Sequence, residues 1–206
     1  MRSFISVTLI FIALAIINSF SQHRRRGYGK SSKKLAFQVR SDYLKVKPYL
    51  KTIKKYSRHF GFDYRLIVAM AKKESNFNPK AIEYIGGRAV SFGLLQINIS
   101  TGKDIAKELK IKFSRKFLLN PRYNILLGTY YLWKQYTTTC KGLSGLERYK
   151  FALAAYNCGP GNVLKALEVT SSWYRGKYYV PQSTVEYVEY IIEWWAIYKK
   201  YLEIFS

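Results

Sequence analysis

Apolar residues recur at three- and four-residue steps along most of this chain, the period of helices that turn one face to a core. The clearest case runs from Ser183 to Tyr201, where Val185, Val188, Ile191, Ile192, Trp195 and Tyr198 mark one face that Leu202 continues. A looser version spans Asp42 to Phe60, with Leu44, Pro48, Leu50, Ile53 and Tyr56, and Gly61 stops it. Asp63 stands where a helix cap is needed for a following segment whose inward residues are Leu66, Ile67 and Met70. Asn76, Asn78 and Pro79 end that helix, and further helices are predicted at about 103–110, 121–136, 146–157 and 161–168. No alternating strand pattern of useful length and no internal repeat appear. The expected fold is all-α, a mostly α domain.

The first residues bear on the compartment. Met1-Arg2-Ser3 precedes an apolar run from Phe4 to Ile17, broken only by Ser6 and Thr8, and small residues follow at Ser19 and Ser21. A cationic start, a short apolar run and small residues at those positions fit a secretory signal peptide over 1–21 and an exported chain, periplasmic or in the cell envelope. The other reading is an uncleaved N-terminal membrane anchor, because Arg24-Arg25-Arg26 follows at once and such charges hold a segment's end in the cytoplasm. The run is short for a membrane span, which favours export. Residues 22–40 are rich in basic residues, Gly and Ser without helical periodicity and read as a basic flexible linker. That leaves 41–206 as the single folded domain.

Composition narrows the classes. Apolar residues make up 49% of the chain, enough for a packed core, which excludes a disordered polar chain. Two cysteines exclude a disulfide-dense mini-protein. With only His23 and His59 beside them, no metal site is expected, and no nucleotide or other cofactor motif is present. Lys and Arg total 35 against 12 Asp and Glu, a formal net charge of +23, so an anionic partner is expected: nucleic acid, phospholipid headgroups or an acidic wall polymer. The excess is concentrated at the front, with thirteen basic residues and the single acid Asp42 between Gln22 and Arg58. That stretch reads either as a tether to an anionic surface or as a solubilising tail.

With so few acids, one carboxylate stands out. Glu74 lies four residues after Met70 and seven after Ile67, on the apolar face of its helix. Partial desolvation there favours the neutral acid, the form needed to protonate a glycosidic oxygen. Taken alone, a glutamate at a helix end is more often a surface group. Its context is KKESNFNPKA (72–81), SFGLLQIN (91–98), LNPRYNILLGTYYL (119–132), ALAAYNCGPGNV (152–163) and PQSTVEYVEYI (181–191). Together and in this order these segments resemble the lytic transglycosylases of the soluble type, with their goose-type-lysozyme-like catalytic domain. The resemblance covers about residues 50 to 192.

The resemblance implies a lysozyme-like helical fold and cleavage of peptidoglycan between N-acetylmuramic acid and N-acetylglucosamine. It implies that Glu74 acts first as acid on the leaving oxygen and then as base on the muramic acid C6 hydroxyl, which closes onto C1 to give a 1,6-anhydro end. It assigns substrate-lining or orienting roles to Ser75, Gln96, Tyr156 and Asn157, and motif positions to Gly93, Gly159, Gly161, Thr184 and Tyr187. It makes peptidoglycan glycan strands the partner; separately, the charge of the basic N-terminal segment would meet the anionic wall surface, with no nucleic acid and a monomeric chain expected. Two other readings remain open. One is a hydrolytic muramidase using Glu74 and a second carboxylate; the other is a non-catalytic basic protein binding wall polymer or nucleic acid. Between Ser75 and Thr101 the only acid is Glu83, and the shortage of a second carboxylate favours transglycosylation over hydrolysis.

Some positions depart from the family pattern. Leu95 replaces a common Met, Cys158 replaces an Ala, and Ser183 stands where the family has a Glu, which Glu186 could replace from one turn away. Cys140 and Cys158 would be able to pair in an oxidising compartment; two free thiols is the other reading. Trp173 and Tyr178 are expected to flank the cleft, since sugar rings stack on aromatic faces, while Trp194 and Trp195 are expected in the core.

Overall fold

The computed structural model describes residues 28–205, with side chains from Lys33 onward. Residues 1–21, read above as a signal peptide, and residues 22–27 lie outside the described residues. The described chain falls into two compact units, residues 28–48 with 196–205, and Tyr49–Trp195.

In the first unit α1 (Tyr28–Val46) occupies much of the segment read as a linker. Residues 28–40 are therefore helical, a correction to the flexible reading. Leu35, Val39, Tyr43 and Val46 lie at helical steps, and the last three are buried, but the basic residues between them hide the pattern. Leu44, taken for an inward residue, is 57% exposed, while the charged Asp42 is buried. Asp42 accepts hydrogen bonds from the Tyr198 hydroxyl at 2.8 Å and from Gln38 Nε2 at 2.9 Å, partners that answer the cost of burying a carboxylate.

The second unit begins with a single 3₁₀ residue of Lys47–Tyr49 and then α2 (Leu50–His59). Gly61 follows with φ +77° and turns the chain into α3 (Tyr64–Ser75). Asp63 caps α3 by accepting from the Arg65 backbone N–H at 3.0 Å, and its carboxylate also takes the Arg65 guanidinium and the Trp195 indole N–H. Leu66 to Lys72 are buried without interruption, as befits a helix apolar on nearly every side and surrounded by others. The Lys72 ammonium escapes the core by resting 4.0 Å from the Trp194 ring centroid.

Next comes a small antiparallel sheet in the order β1 (Ile82–Ile85), β2 (Arg88–Phe92), β3 (Ile97–Asn98). Strands this short carry too few alternations to show in the sequence, and the Gly86-Gly87 turn between the first two is the sign that was passed over. The rest is helical: α4 (Ile99–Glu108), α5 (Pro121–Lys134), α6 (Gly145–Cys158), α7 (Pro160–Val169), α8 (Trp173–Gly176) and α9 (Gln182–Tyr201). A π-helical turn, Gln135–Thr139, extends α5. Phe151 to Ala155 on α6 are fully buried, a second helix core beside Ile125, Leu127 and Leu132 of α5. The architecture is mostly α.

Cys140 and Cys158 are free thiols. Cys140 is buried after the π turn, where desolvation pushes its thiol up to about 12. Cys158 closes α6 among Thr184, Asn162 and its own backbone. In this structure the two are not bonded to each other.

Candidate active site

The site is built around a loop, Gly93-Leu94-Leu95-Gln96, that links β2 to β3. Gly93 has φ +78°, and a Cβ there would lie 2.4 Å from the Leu118 carbonyl and 2.6 Å from Asn124 Nδ2, so no side chain fits. Gln96 adopts φ +42° and folds its amide back, donating to the Gly93 carbonyl at 2.7 Å and to the Ala81 carbonyl at 3.2 Å. Its amide partners are thus protein carbonyls, while the residue still lines the cleft.

Three other elements tie the same loop down. From α3, the Ser75 hydroxyl donates to the Leu94 carbonyl at 2.9 Å, sharing its proton with Ala71 O at 3.2 Å. From α6, the Tyr156 hydroxyl donates to the Leu95 carbonyl at 2.7 Å. From α5, buried Asn124 accepts the Leu95 N–H at 2.8 Å and donates to the Phe92 and Leu118 carbonyls at 2.7 and 2.9 Å. Gly128, one helical turn beyond Asn124, leaves room for this approach, since a Cβ there would come 2.5 Å from Leu95 Cδ1 and 3.1 Å from the Tyr156 hydroxyl. Asn124 and Gly128 were not singled out from the sequence. Both lie in the NPRYNILLGTYYL segment, and their spacing of four puts them on one helix face.

Glu74 closes this arrangement from the end of α3. It is half-buried, and the Tyr187 hydroxyl of α9 donates to its Oε1 at 2.5 Å. Burial pushes the Glu74 carboxyl up to about 8; the Tyr187 hydrogen bond and the Lys73 ammonium pull it down, and the charge of Glu83 adds to the rise. The Tyr156 and Tyr187 hydroxyls are held well above their usual range by burial and by the charge of Glu74. Both phenols are therefore neutral donors beside an acid that keeps its proton at neutral pH. Tyr187, expected only as a motif position, is the direct partner of Glu74.

Beside these residues lies a cleft of about 270 Å³ lined by Ser91, Gln96, Asn98, Tyr131, Tyr156 and Asn157 among others. Asn157 is held by buried Thr184, whose hydroxyl donates to Asn157 Oδ1 at 2.8 Å, so the PQST segment positions a cleft residue. Gly159, with φ +87°, lines the same cleft and lets the chain turn directly into α7. Gly161 meets nothing that a Cβ would disturb. Tyr131, also missed, packs on Tyr156 with ring centroids 5.2 Å apart.

Trp173 does not flank this cleft. It is buried with its ring edge-on to Phe151 at 5.3 Å, and Gly176 lies so close to Phe151 that a Cβ would overlap its ring. Tyr178 is 75% exposed and is not among the residues lining the cleft. Among the described residues no three His, Cys, Asp or Glu side chains gather as a metal site would need.

A half-buried glutamate with a raised carboxyl pKa, beside a glycine loop on this helical frame, agrees with a family model described as the transglycosylase SLT domain, which matches residues 51–177. The chain belongs to the SLT transglycosylase family. It is 32% identical over 160 residues to the membrane-bound lytic murein transglycosylase C of Actinobacillus succinogenes, covering 74% of this chain and 43% of that one. The like-named protein of Mannheimia succiniciproducens is 33% identical over 154 residues, covering 71% and 42%. The chain thus spans less than half the length of these relatives. Among solved structures, the lytic transglycosylase Slt of Pseudomonas aeruginosa, as an inactive mutant, superposes with a TM-score of 0.63 at 26% identity, over 76% of this chain and 24% of that one. The family match begins at residue 51, beyond the basic front segment and α1.

Proposed function

We propose that this SLT-family chain is a peptidoglycan lytic transglycosylase, cleaving the β-1,4 bond from N-acetylmuramic acid to N-acetylglucosamine and leaving a 1,6-anhydro end. The observation that carries the reading is Glu74, an acid raised to about 8 at the cleft and gripped by a neutral tyrosine. Protonated, Glu74 gives its proton to the leaving glycosidic oxygen. The substrate's N-acetyl group stabilises the positive charge at C1 in between. As carboxylate, Glu74 then takes the proton of the C6 hydroxyl while that oxygen bonds to C1, which returns the acid to its starting state.

Tyr187 orients the Glu74 carboxyl, and Ser75, Asn124 and Tyr156 hold the loop that presents Gln96 to the glycan. Peptidoglycan and its associated polymers are anionic, so the charge of +23 suits a wall substrate without nucleic acid. The relatives named membrane-bound support a place in the cell envelope, reached by export of a monomeric chain. Residues 22–40 then serve as an electrostatic tether to the wall surface.

The test is a digest of purified peptidoglycan with muropeptide analysis by mass spectrometry. The wild-type chain is expected to release fragments lighter by one water than reducing-end muropeptides, and Glu74→Gln is expected to lose at least about 10³-fold in rate, the scale of removing an essential acid-base group. Release that Glu74→Gln leaves unchanged would sink the reading.

A further inference from the structure

The geometry points to a second binding surface on this chain: an apolar groove between α2 and α5 that docks an acidic segment of a partner protein by its apolar side chains.

The groove is built by the stretch that joins α4 to α5. Ile111 follows α4, and a 3₁₀ turn, Arg115–Leu119, buries Leu118 and leaves Phe117 42% exposed. Phe117 packs on Tyr123 with ring centroids 5.2 Å apart, and the Tyr123 hydroxyl donates to the Lys112 carbonyl. With Tyr56 of α2 and with Arg122 and Leu126 of α5, these residues enclose about 350 Å³, more than the cleft beside Tyr156. The two hollows share no lining residue. Along α5, Asn124 and Gly128 turn to the catalytic loop, while Arg122 and Leu126, two residues before each, fall on the opposite side.

The linings differ in kind. The cleft offers Ser, Thr, Asn and Gln, groups that hydrogen-bond sugar hydroxyls. The groove offers three aromatic rings, two aliphatic side chains, one Arg, and Asn120, whose side-chain oxygen is already used to cap α5. Aromatic residues with Arg, and no Lys, Asp or Glu among them, are the composition of protein–protein interface cores.

The rim decides the sign of the partner. Helix α2 carries Lys51, Lys54, Lys55 and Arg58 and no acid, and from Leu109 to Arg122 the chain has five basic residues and no acid. Among the described residues, Lys110, Lys112, Lys116 and Arg122 have no ion-pair partner. The acid closest in sequence, Glu108, is taken by Lys134 and Tyr130. Cations left open around an apolar hollow admit an acidic segment and turn away a basic one, and the hollow selects the side chains that segment must bring. The same charge disfavours a second copy of this chain, which at +23 would be repelled.

The experiment titrates the full chain, by fluorescence anisotropy, against a labelled library of Asp- and Glu-rich peptides. Each carries two anchors chosen from Phe, Leu and Trp, three or four positions apart. Anchored peptides are expected to bind about tenfold more tightly than the anchor-free acidic peptide, and the same anchors on a Lys-rich background are expected not to bind. Phe117→Ala and Arg122→Glu are each expected to weaken that binding about tenfold, with Phe117→Leu recovering part of it. Both side chains are exposed, and matching thermal unfolding shows that the variants keep the fold. No anchored peptide above the anchor-free control, or binding that Phe117→Ala leaves unchanged, overturns the inference. Binding to anionic phospholipid vesicles that depends on Phe117 and that the peptide does not displace also overturns it, assigning the groove to lipid. A dimer in sedimentation that Phe117→Ala dissolves does the same in favour of a second copy. None of these readouts involves cleavage, so the transglycosylase reading stands or falls separately.

Discussion

Glu74 titrates against the grain of an ordinary glutamate, and the consequences can be signed. Its folded carboxyl is raised to about 8 from an ordinary value of 4.5, so activity that needs the protonated acid is held through neutral pH and lost as pH rises through about 8. The same shift costs stability: the folded state holds a proton that the unfolded chain has released, so stability falls as pH rises from about 4.5 to 8. Glu74→Gln removes that penalty and is expected to raise the melting temperature at pH 8–9 while abolishing cleavage. Tyr187→Phe acts in the other direction on the titration. Its hydrogen bond is one of the influences that lower Glu74, so without it the alkaline limb of the rate profile moves to higher pH while kcat falls. A limb that moves down, or stays in place, would contradict the role given to Tyr187. The sequence placed Glu74 on an apolar helix face, but its partner lies 113 residues away, a pairing no local pattern encodes.

At the level of elements, most helices were legible because each buries one face and ends at a recognisable signal, such as Asp63 before α3 or Asn120 and Pro121 before α5. The exceptions have physical causes. Helix α1 was hidden by basic residues that share its turns with the buried ones, and the three strands were too short for alternation to register. The GLLQ loop reads as a cleft segment, and Gln96 does line the cleft, but its amide is spent on the Gly93 and Ala81 carbonyls. Asn124 shows the difference most clearly, since one buried amide satisfies three backbone groups from the loop and its flanks. Asn124→Ala leaves those groups without their partner and is expected to cost about 3 kcal/mol. Because the loop presents Gln96, the same variant should cut turnover well beyond its effect on folded fraction. Chemical denaturation and a glycan digest at a temperature where the variant is folded separate the two effects. The free thiols belong to this scale too: Cys140 and Cys158 end different elements, so reductant is expected to leave the melting temperature within about 1 °C, against the several degrees a disulfide worth about 3 kcal/mol would add.

For the whole molecule the governing quantity is charge. Thirteen basic residues between Gln22 and Arg58 against Asp42 alone make the front of the chain strongly cationic. Attraction between exposed charges is screened beyond about 8 Å at physiological ionic strength, so retention on purified sacculi is expected to fall steeply with salt. Replacing Arg24, Arg25 and Arg26 by Ser should weaken that retention at low salt and leave turnover of soluble glycan fragments within about twofold. Equal retention by the two forms across a salt series would remove the tether. The sequence by itself determined the helical class and the family, and it proposed the acid, because periodicity, caps and motif residues are local and survive in a linear reading. The tertiary structure alone decided that Tyr187 holds Glu74 and that Asn124 and Gly128 shape the loop. Each of these depends on residues distant along the chain meeting at hydrogen-bond or van der Waals range, and such meetings are set by packing, not by sequence spacing.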